Sequence, residues 1–305
     1  MSVAFAELPY ERAFRRWCEE EGMEWSRLVY PRPEAGGETV AYRIRPGPDP
    51  LGRVLLVHGA GNDALFALVG LAKELLVRGY ALFAFDLDGH GRASTTRFSP
   101  DTIGGAIPAA LERARQGDPA LPTHAIGVSL GGALLLHALG GSLTDASASA
   151  VAVSAPLQIR FGWNAALNEL RPALLGAAAA QRRHLGWWGM VPAFGPVKRG
   201  TYPLRLAQAA PGRFGYIAEL NRALAKLDPL ATGPLVRTPT LLLYGDADRL
   251  VPPEQGEALA AAIPDAELTR LPGATHLTAP VEPAATRAIA GWLESHASFR
   301  AEVGG

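Results

Sequence analysis

Short runs of continuous apolar residues alternate along most of this 305-residue sequence with segments whose apolar residues recur at helical spacing. The runs of strand length lie at residues 54–57, 81–85, 123–128, 148–153 and 240–244, and a further strand is predicted near residues 267–271. Strands that are apolar on both faces must be covered on both faces, which is typical of parallel sheets flanked by helices. The pattern therefore predicts an α/β fold with a mostly parallel central sheet. In such sheets functional side chains collect at the carboxyl ends of the strands.

The residues before the first of these runs are predicted to form a charged amphipathic helix and two edge strands. Residues 1–25 place Phe14, Trp17 and Cys18 on one side of the predicted helix. Residues 26–31 and 38–45 have strand character and flank a turn rich in proline and glycine. The sequence assigns no function to this N-terminal region.

The alternation of strands and helices stops after Pro156 and resumes at Thr240. Residues 157–230, called the insertion below, contain helical stretches, prolines and aromatic residues but no convincing strand. Both ends of the insertion leave the sheet at its carboxyl edge, so we expect it to cover that edge as a helical lid. The predicted organisation is a core domain of residues 1–156 and 231–305 with an inserted lid.

The insertion is rich in aromatic and basic side chains. Its tryptophans Trp163, Trp187 and Trp188 either line an apolar acyl or aryl pocket or pack the lid helices together. It carries ten basic and three acidic residues, a net charge of +7 that leaves −7 on the rest of the chain. This basic segment either attracts the acidic core domain or concentrates anionic substrates. Because cations and aromatic residues occur together at residues 182–188, weak contact with anionic lipid surfaces is a further prediction.

A strand-to-helix turn is predicted at residues 127–131, which read GVSLG. A serine at such a turn projects its Oγ out of the sheet, and the flanking glycines permit the close packing that the turn needs. The N-terminus of the helix behind the serine supplies free N–H groups and partial positive charge, which suit a developing oxyanion. Ser129 is therefore the candidate nucleophile, and the alternative is a serine that only caps the helix.

A serine hydroxyl needs a neighbouring base to act as a nucleophile at neutral pH. Of the seven histidines, His276 is the candidate, because it lies in a loop after the last predicted strand, at the carboxyl edge of the sheet. His58 and His90 lie in turns after earlier strands, where local hydrogen bonds are expected. His124 and His137 are predicted to pack or to lie at the surface, and His184 to face solvent. His296 is near the end of the last predicted helix, where a positive charge interacts favourably with the helix dipole.

The base needs an orienting acid, which should also follow a strand end. Asp246 and Asp248 both follow the strand at residues 240–244. We favour Asp248 because it lies further into the loop, whereas Asp246 has the position of a turn-capping aspartate. The end of the preceding strand holds Ser154, so no acid is available there.

Residues 50–298 resemble the α/β-hydrolase superfamily of serine hydrolases. The resemblance rests on HGAG at residues 58–61, DLDGHGRAS at 86–94, GVSLGG at 127–132, and the order of Ser129, Asp248 and His276. It implies an α/β-hydrolase fold and an oxyanion hole formed by the backbone N–H groups of Ala60 and Leu130. Within the superfamily the chain looks most like the esterases, monoacylglycerol lipases and lysophospholipases.

The predicted serine, histidine and aspartate indicate hydrolysis of a small carboxylic ester through an acyl-Ser129 intermediate. The aromatic residues of the insertion favour a substrate with an apolar acyl or aryl group. Amide or thioester hydrolysis and acyl transfer by the same residues are the alternatives, and a non-catalytic ligand-binding member is a third. A serine nucleophile, rather than an aspartate, disfavours the haloalkane dehalogenases and epoxide hydrolases. The lack of an HGGG or HGGPG run disfavours hormone-sensitive-lipase types and proline iminopeptidases.

Composition argues against several other classes of function. Lys+Arg and Asp+Glu balance at 29 each, and this zero net charge argues against nucleic acid as the main partner. The single cysteine, Cys18, excludes an intrachain disulfide, and no Cys/His cluster has zinc spacing, so no metal or other cofactor is predicted. The N-terminal residues lack the apolar stretch of a signal peptide, and no apolar run is long enough to span a bilayer. We therefore expect a soluble, cytoplasmic protein.

Overall fold

The computed structural model describes residues 7–66, 68–95, 100–143, 147–160, 168–169 and 212–297. The strands among them are β1 (Glu24–Arg32), β2 (Gly37–Arg45), β3 (Gly52–Val57), β4 (Tyr80–Phe85), β5 (Thr123–Val128), β6 (Ser149–Val153), β7 (Thr240–Gly245) and β8 (Ala266–Leu271). They form one sheet in the order β1-β2-β4-β3-β5-β6-β7-β8. β3 to β8 are parallel to one another, while β2 runs antiparallel to both β1 and β4. The predicted α/β architecture with a mostly parallel sheet is confirmed.

Helices connect most of these strands. They are α1 (Pro9–Glu20), α2 (Val69–Val77), α3 (Pro100–Ile103), α4 (Ala106–Arg115), α5 (Leu130–Leu139), α6 (Gly212–Leu227), α7 (Pro229–Thr232), α8 (Glu254–Ala262) and α9 (Pro283–Ser295). Short 3-10 turns occupy Pro33–Ala35, Gly233–Leu235 and Ala279–Val281. In the part of the chain that the structure describes, no helix combines the length and apolar character needed to cross a bilayer.

The central strands are buried on both faces, and their side chains alternate between two apolar clusters. In β3, Leu55 and Val57 belong to one cluster, and Val54 and Leu56 belong to the other. The first cluster includes side chains of α4, α5, α6 and α8, and the second includes side chains of α1, α2 and α9. Helices thus cover both faces of the sheet, as continuously apolar strands require. This packing holds the carboxyl ends of β3 to β8 along one edge.

The N-terminal residues extend the sheet in the antiparallel direction. β1 lies at the edge, but β2 pairs with β1 on one side and with β4 on the other. The prediction that residues 38–45 form an edge strand is therefore wrong. The reason is that β4, about forty residues further along the chain, supplies the second partner. Helix α1 buries Phe14 and Cys18 completely, and Trp17 stacks on Phe14 with ring centroids 5.8 Å apart.

The insertion is described in three pieces, at residues 157–160, 168–169 and 212–230, and these residues contain no strand. The first piece is bound to α6 by the side chain of Asn221. Asn221 Oδ1 accepts a hydrogen bond from the N–H of Ile159 at 2.9 Å, and Asn221 Nδ2 donates one to Ile159 O at 3.1 Å. Trp163, Trp187 and Trp188 lie outside the described residues. The division into core domain and lid therefore stays a prediction.

Candidate active site

Ser129 occupies the turn between β5 and α5. Its φ and ψ are 51° and −120°, and a positive φ is uncommon for a residue other than glycine. The N–H of Ser129 donates to Val153 O on the neighbouring strand β6 at 2.8 Å, which ties the turn to the sheet. A strained residue at a strand-to-helix turn is the geometry that presents a serine side chain at the edge of the sheet.

The glycines on either side of Ser129 are required for steric reasons. A Cβ on Gly127 would lie 2.5 Å from Gly131 O, and a Cβ on Gly131 would overlap Val57 O on β3. These neighbours are backbone atoms of the central sheet and of the turn itself, so they cannot move aside cheaply. The turn packs against β3 only because both positions lack a side chain.

Gly131→Ala is expected to lower the free energy of unfolding by about 3 kcal/mol or more, because the new methyl group has no space beside Val57 O. Gly291→Ala in α9 is the matched control, since a Cβ there meets no atom within 4 Å. Alanine at position 291 is expected to stabilise the helix by about 0.5–1 kcal/mol. Urea denaturation measures both changes, and a Gly131→Ala variant as stable as the wild type would contradict the steric explanation.

His276 connects the other two predicted residues through hydrogen bonds. It lies in the loop after β8, with Nδ1 2.8 Å from Asp248 Oδ2 and Nε2 3.0 Å from Ser129 Oγ. A carboxylate can only accept, so Nδ1 carries a proton, and Nε2 of the neutral ring accepts from the Ser129 hydroxyl. His276 is 147 residues from Ser129 and 28 from Asp248 in the sequence. The fold therefore brings together residues that follow three different strands.

The two candidate acids have different surroundings. Asp248 is buried, and its Oδ2 faces His276. Its Oδ1 accepts hydrogen bonds from the N–H groups of Leu250 and Val251, at 3.0 and 2.8 Å. Asp246 is exposed, and its Oδ1 accepts from the N–H of Gly273 at 2.5 Å. Asp248 is thus placed to orient the imidazole, and Asp246 connects the loop after β7 to the loop after β8.

Asp248→Asn is expected to lower kcat for ester hydrolysis by about 10⁴-fold, because a side-chain amide favours the wrong imidazole tautomer. Asp246→Asn keeps an acceptor oxygen for the N–H of Gly273, so its kcat is expected to fall by less than about tenfold. Steady-state kinetics with an activated ester compares the two variants directly. A larger loss in Asp246→Asn would exchange the two assignments.

The segments that carry Ala60 and Leu130 lie on either side of the serine. Leu130 is the first residue of α5, and a Cβ on Gly59 would lie 3.1 Å from Ser129 Cβ, so the chain preceding Ala60 passes beside the serine. Within the described residues, the N–H groups of Ala60 and Leu130 donate to no protein acceptor. Free N–H groups beside a nucleophile, one of them at a helix N-terminus, are suited to stabilise an oxyanion.

His58 and His90 make local hydrogen bonds in the loops after β3 and β4. The Nδ1–H of His58 donates to Gly59 O at 2.7 Å, and its Nε2 accepts from the N–H of Leu87 at 2.9 Å. The Nδ1–H of His90 donates to Asp88 O at 2.8 Å. Burial lowers the pKa of His58 to about 4, and burial together with the neighbouring His58 lowers the pKa of His90 to about 3. Both rings are therefore neutral at pH 7, and the ring of His58 connects the two loops.

Two residues of the insertion, neither of them among the predicted site residues, contact the loops that carry Asp248 and His276. Glu169 accepts hydrogen bonds from the N–H groups of His276 and Leu277, and Asn168 donates one to Ala247 O. No local pattern indicates these contacts, because Glu169 and His276 are 107 residues apart. Across the described ranges, no group of three or more His, Cys, Asp and Glu side chains could hold a metal ion.

The chain is similar to proteins of known family and fold. A family model described as "Alpha/beta hydrolase family" matches residues 54–291. A pimeloyl-[acyl-carrier protein] methyl ester esterase from Chromobacterium violaceum is 28% identical over 263 residues, which cover 82% of this chain and 96% of that protein.

Solved structures share the fold at lower identity. A meta-cleavage product hydrolase from Pseudomonas fluorescens IP01 is 18% identical with a TM-score of 0.66, over 86% of this chain and 96% of its own. A thermophilic esterase from Thermogutta terrifontis is 22% identical with a TM-score of 0.58, over 89% of this chain and 99% of its own. At these identities the structures show the fold alone, and they confirm the fold that the sequence predicts.

Proposed function

The chain belongs to the alpha/beta hydrolase family and is a hydrolase of ester bonds, and we propose that it cleaves a carboxylic ester through an acyl intermediate on Ser129. The observation that carries this proposal is the hydrogen-bonded series from Asp248 through His276 to Ser129, with distances of 2.8 and 3.0 Å. A carboxylate, an imidazole and a serine in this order are the components of nucleophilic acyl transfer.

In the acylation step, His276 Nε2 accepts the Ser129 proton as Oγ attacks the carbonyl carbon of the ester. The carbonyl oxygen becomes an oxyanion, which the N–H groups of Ala60 and Leu130 stabilise. Asp248 holds the ring in the required tautomer and stabilises the imidazolium. The tetrahedral intermediate collapses, and the alkoxide leaves with the proton from His276. Water, deprotonated by His276, then attacks the acyl-serine and releases the carboxylic acid.

The same residues would also support amide or thioester hydrolysis and acyl transfer. We prefer ester hydrolysis because the 28% identical relative is named as a methyl ester esterase. A non-catalytic ligand-binding role is less consistent with the site, since nucleophile, base and acid are all present and connected. The basic composition of the insertion favours esters that carry an anionic group as well as an apolar portion.

The proposal is tested by labelling the nucleophile and comparing substrates. A fluorophosphonate, which phosphonylates activated serines, is expected to form a single adduct that peptide mass spectrometry assigns to Ser129, and to abolish hydrolysis. The substrates are p-nitrophenyl esters of increasing chain length, each with its matched amide and thioester. A monomethyl ester of a dicarboxylic acid and a neutral methyl ester of equal length test the preference for an anionic group.

Two outcomes would contradict the proposal. Hydrolysis that survives complete labelling, or an adduct on another residue, would exclude Ser129 as the nucleophile. A higher kcat/KM for the amide or thioester than for the matched ester would keep the mechanism but replace the substrate class.

A further inference from the structure

We propose that Glu169 is a positioning residue for the base: its carboxylate, reaching in from the insertion, holds the backbone of His276 so that the imidazole stays aligned with Ser129. This inference rests on the proposed function, because it assigns Glu169 a role only if His276 is the base. Nothing in the sequence around residue 169 points to such a role.

Glu169 contacts the loop after β8, which carries His276, through both oxygens of its carboxylate, and this contact is buried. Glu169 Oε1 accepts from the N–H of His276 at 3.0 Å, and Oε2 accepts from the N–H of Leu277 at 2.9 Å. Glu169 is only 3% exposed. Hydrogen bonds to a carboxylate are roughly twice as strong as those between neutral groups. Both oxygens are used, so the orientation of the loop backbone at His276 is defined by two contacts rather than one.

The preceding residue of the insertion, Asn168, contacts the loop after β7, which carries Asp248. Asn168 Nδ2 donates to Ala247 O at 2.9 Å, and Ala247 precedes Asp248 directly. Residues 168–169 therefore contact both loops whose side chains meet in the Asp248–His276 hydrogen bond. Through these two residues the insertion acts on the relative position of Asp248 and His276.

Other hydrogen bonds also support the loop that carries His276, so the protein is expected to fold without the Glu169 carboxylate. The N–H of Ala247 donates to Ala274 O at 3.0 Å, and the N–H of Thr275 donates to Thr278 Oγ1 at 2.8 Å. Within the described residues, however, the N–H groups of His276 and Leu277 donate to no acceptor except Glu169. Loss of this carboxylate would therefore leave the backbone N–H groups of His276 and Leu277 without these hydrogen bonds, directly beside the imidazole. A displacement of about 1 Å at a reacting group can cost 10²-fold in rate.

The test is Glu169→Gln, which keeps the side-chain length but offers one acceptor oxygen and turns an NH₂ group toward the second N–H. We expect kcat per labelled active site to fall by about 10- to 100-fold, with KM within about threefold of the wild type. A residue that only helps to bind substrate would instead raise KM at unchanged kcat. The downfield proton resonance of His276 Nδ1–H, which reports the hydrogen bond to Asp248, is expected to shift or broaden.

Glu11→Gln is the matched control, because Glu11 of α1 is also a buried glutamate, only 1% exposed, and it pairs with Arg92 rather than with the loops that carry Asp248 and His276. This control is expected to lower the unfolding midpoint while kcat and the His276 resonance stay unchanged. Unchanged kcat in Glu169→Gln, or a loss explained entirely by its folded fraction, would overturn the inference. If Ser129→Ala retained hydrolysis, the proposed function itself would fail. If Ser129→Ala were inactive and Glu169→Gln had normal kcat, only the role of Glu169 would be rejected.

Discussion

Ser129→Ala is expected to lower kcat for ester hydrolysis by about 10⁶-fold while the protein stays folded. The loss is large because no other described group is placed 3.0 Å from His276 Nε2 to attack a carbonyl carbon. The burst of product that reports acyl-enzyme formation is expected to disappear as well, since there is no longer an oxygen to carry the acyl group. Pre-steady-state kinetics with a p-nitrophenyl ester measures both effects.

Ser154→Ala is the matched control for this variant. Ser154 is also buried, also has a positive φ, of 48°, and follows the adjacent strand β6, where its N–H donates to Leu243 O at 2.8 Å. Its hydroxyl has no hydrogen-bond partner among the described residues, so alanine is expected to leave kcat within about threefold. If Ser129→Ala kept more than about 1% of the wild-type kcat, Ser129 would not be the nucleophile.

His276→Ala is expected to cost nearly as much as Ser129→Ala, because the hydroxyl is a poor nucleophile without the base that accepts its proton. The two residues act as a unit, so the double variant is expected to lose little more than either single variant. The kcat of all three variants, measured with the same activated ester, tests this non-additivity. Added imidazole is expected to restore part of the activity of His276→Ala but none of that of Ser129→Ala.

The control for the base is His296→Ala. His296 lies at the end of α9, where its ring contacts Trp292 and its Nδ1–H donates to Trp292 O at 2.8 Å. Its removal is expected to change stability slightly and kcat not at all. Near-normal turnover in His276→Ala would exclude His276 as the base. If the fold-losses in kcat of Ser129→Ala and His276→Ala multiplied in the double variant, the two residues would act independently rather than as a unit.

Much of the fold could be predicted because a strand buried on both faces appears in the sequence as a continuous run of apolar residues. The apolar run at residues 54–57 belongs to a strand covered on both faces, and alternate side chains of β3 enter two different clusters. The sharp turn at Ser129 was predictable for a similar reason, since a side chain at Gly127 or Gly131 would overlap neighbouring backbone atoms. By contrast, strand character alone could not show that β2 lies inside the sheet, because its second partner is β4.

The candidate site was predictable only in part. Asp246 and Asp248 are two residues apart in the same loop, and their side chains differ in what they contact rather than in any sequence signal. Its position further into the loop favours Asp248, but its burial beside His276 is a property of the folded structure. Glu169 was missed altogether, because a glutamate in a helical insertion has the same local appearance whether it faces solvent or a backbone N–H group.

By itself, the sequence determined where the strands lie, where the chain turns sharply at Ser129, and which side chains follow the strand ends. These features depend on periodicity and backbone sterics over a few neighbouring residues. The tertiary structure decided which of those side chains meet. His276 contacts groups that are 28, 107 and 147 residues away in the chain. Such contacts depend on how strands pair and how loops pack, and a hydrogen bond forms only when both partners are brought within about 3 Å.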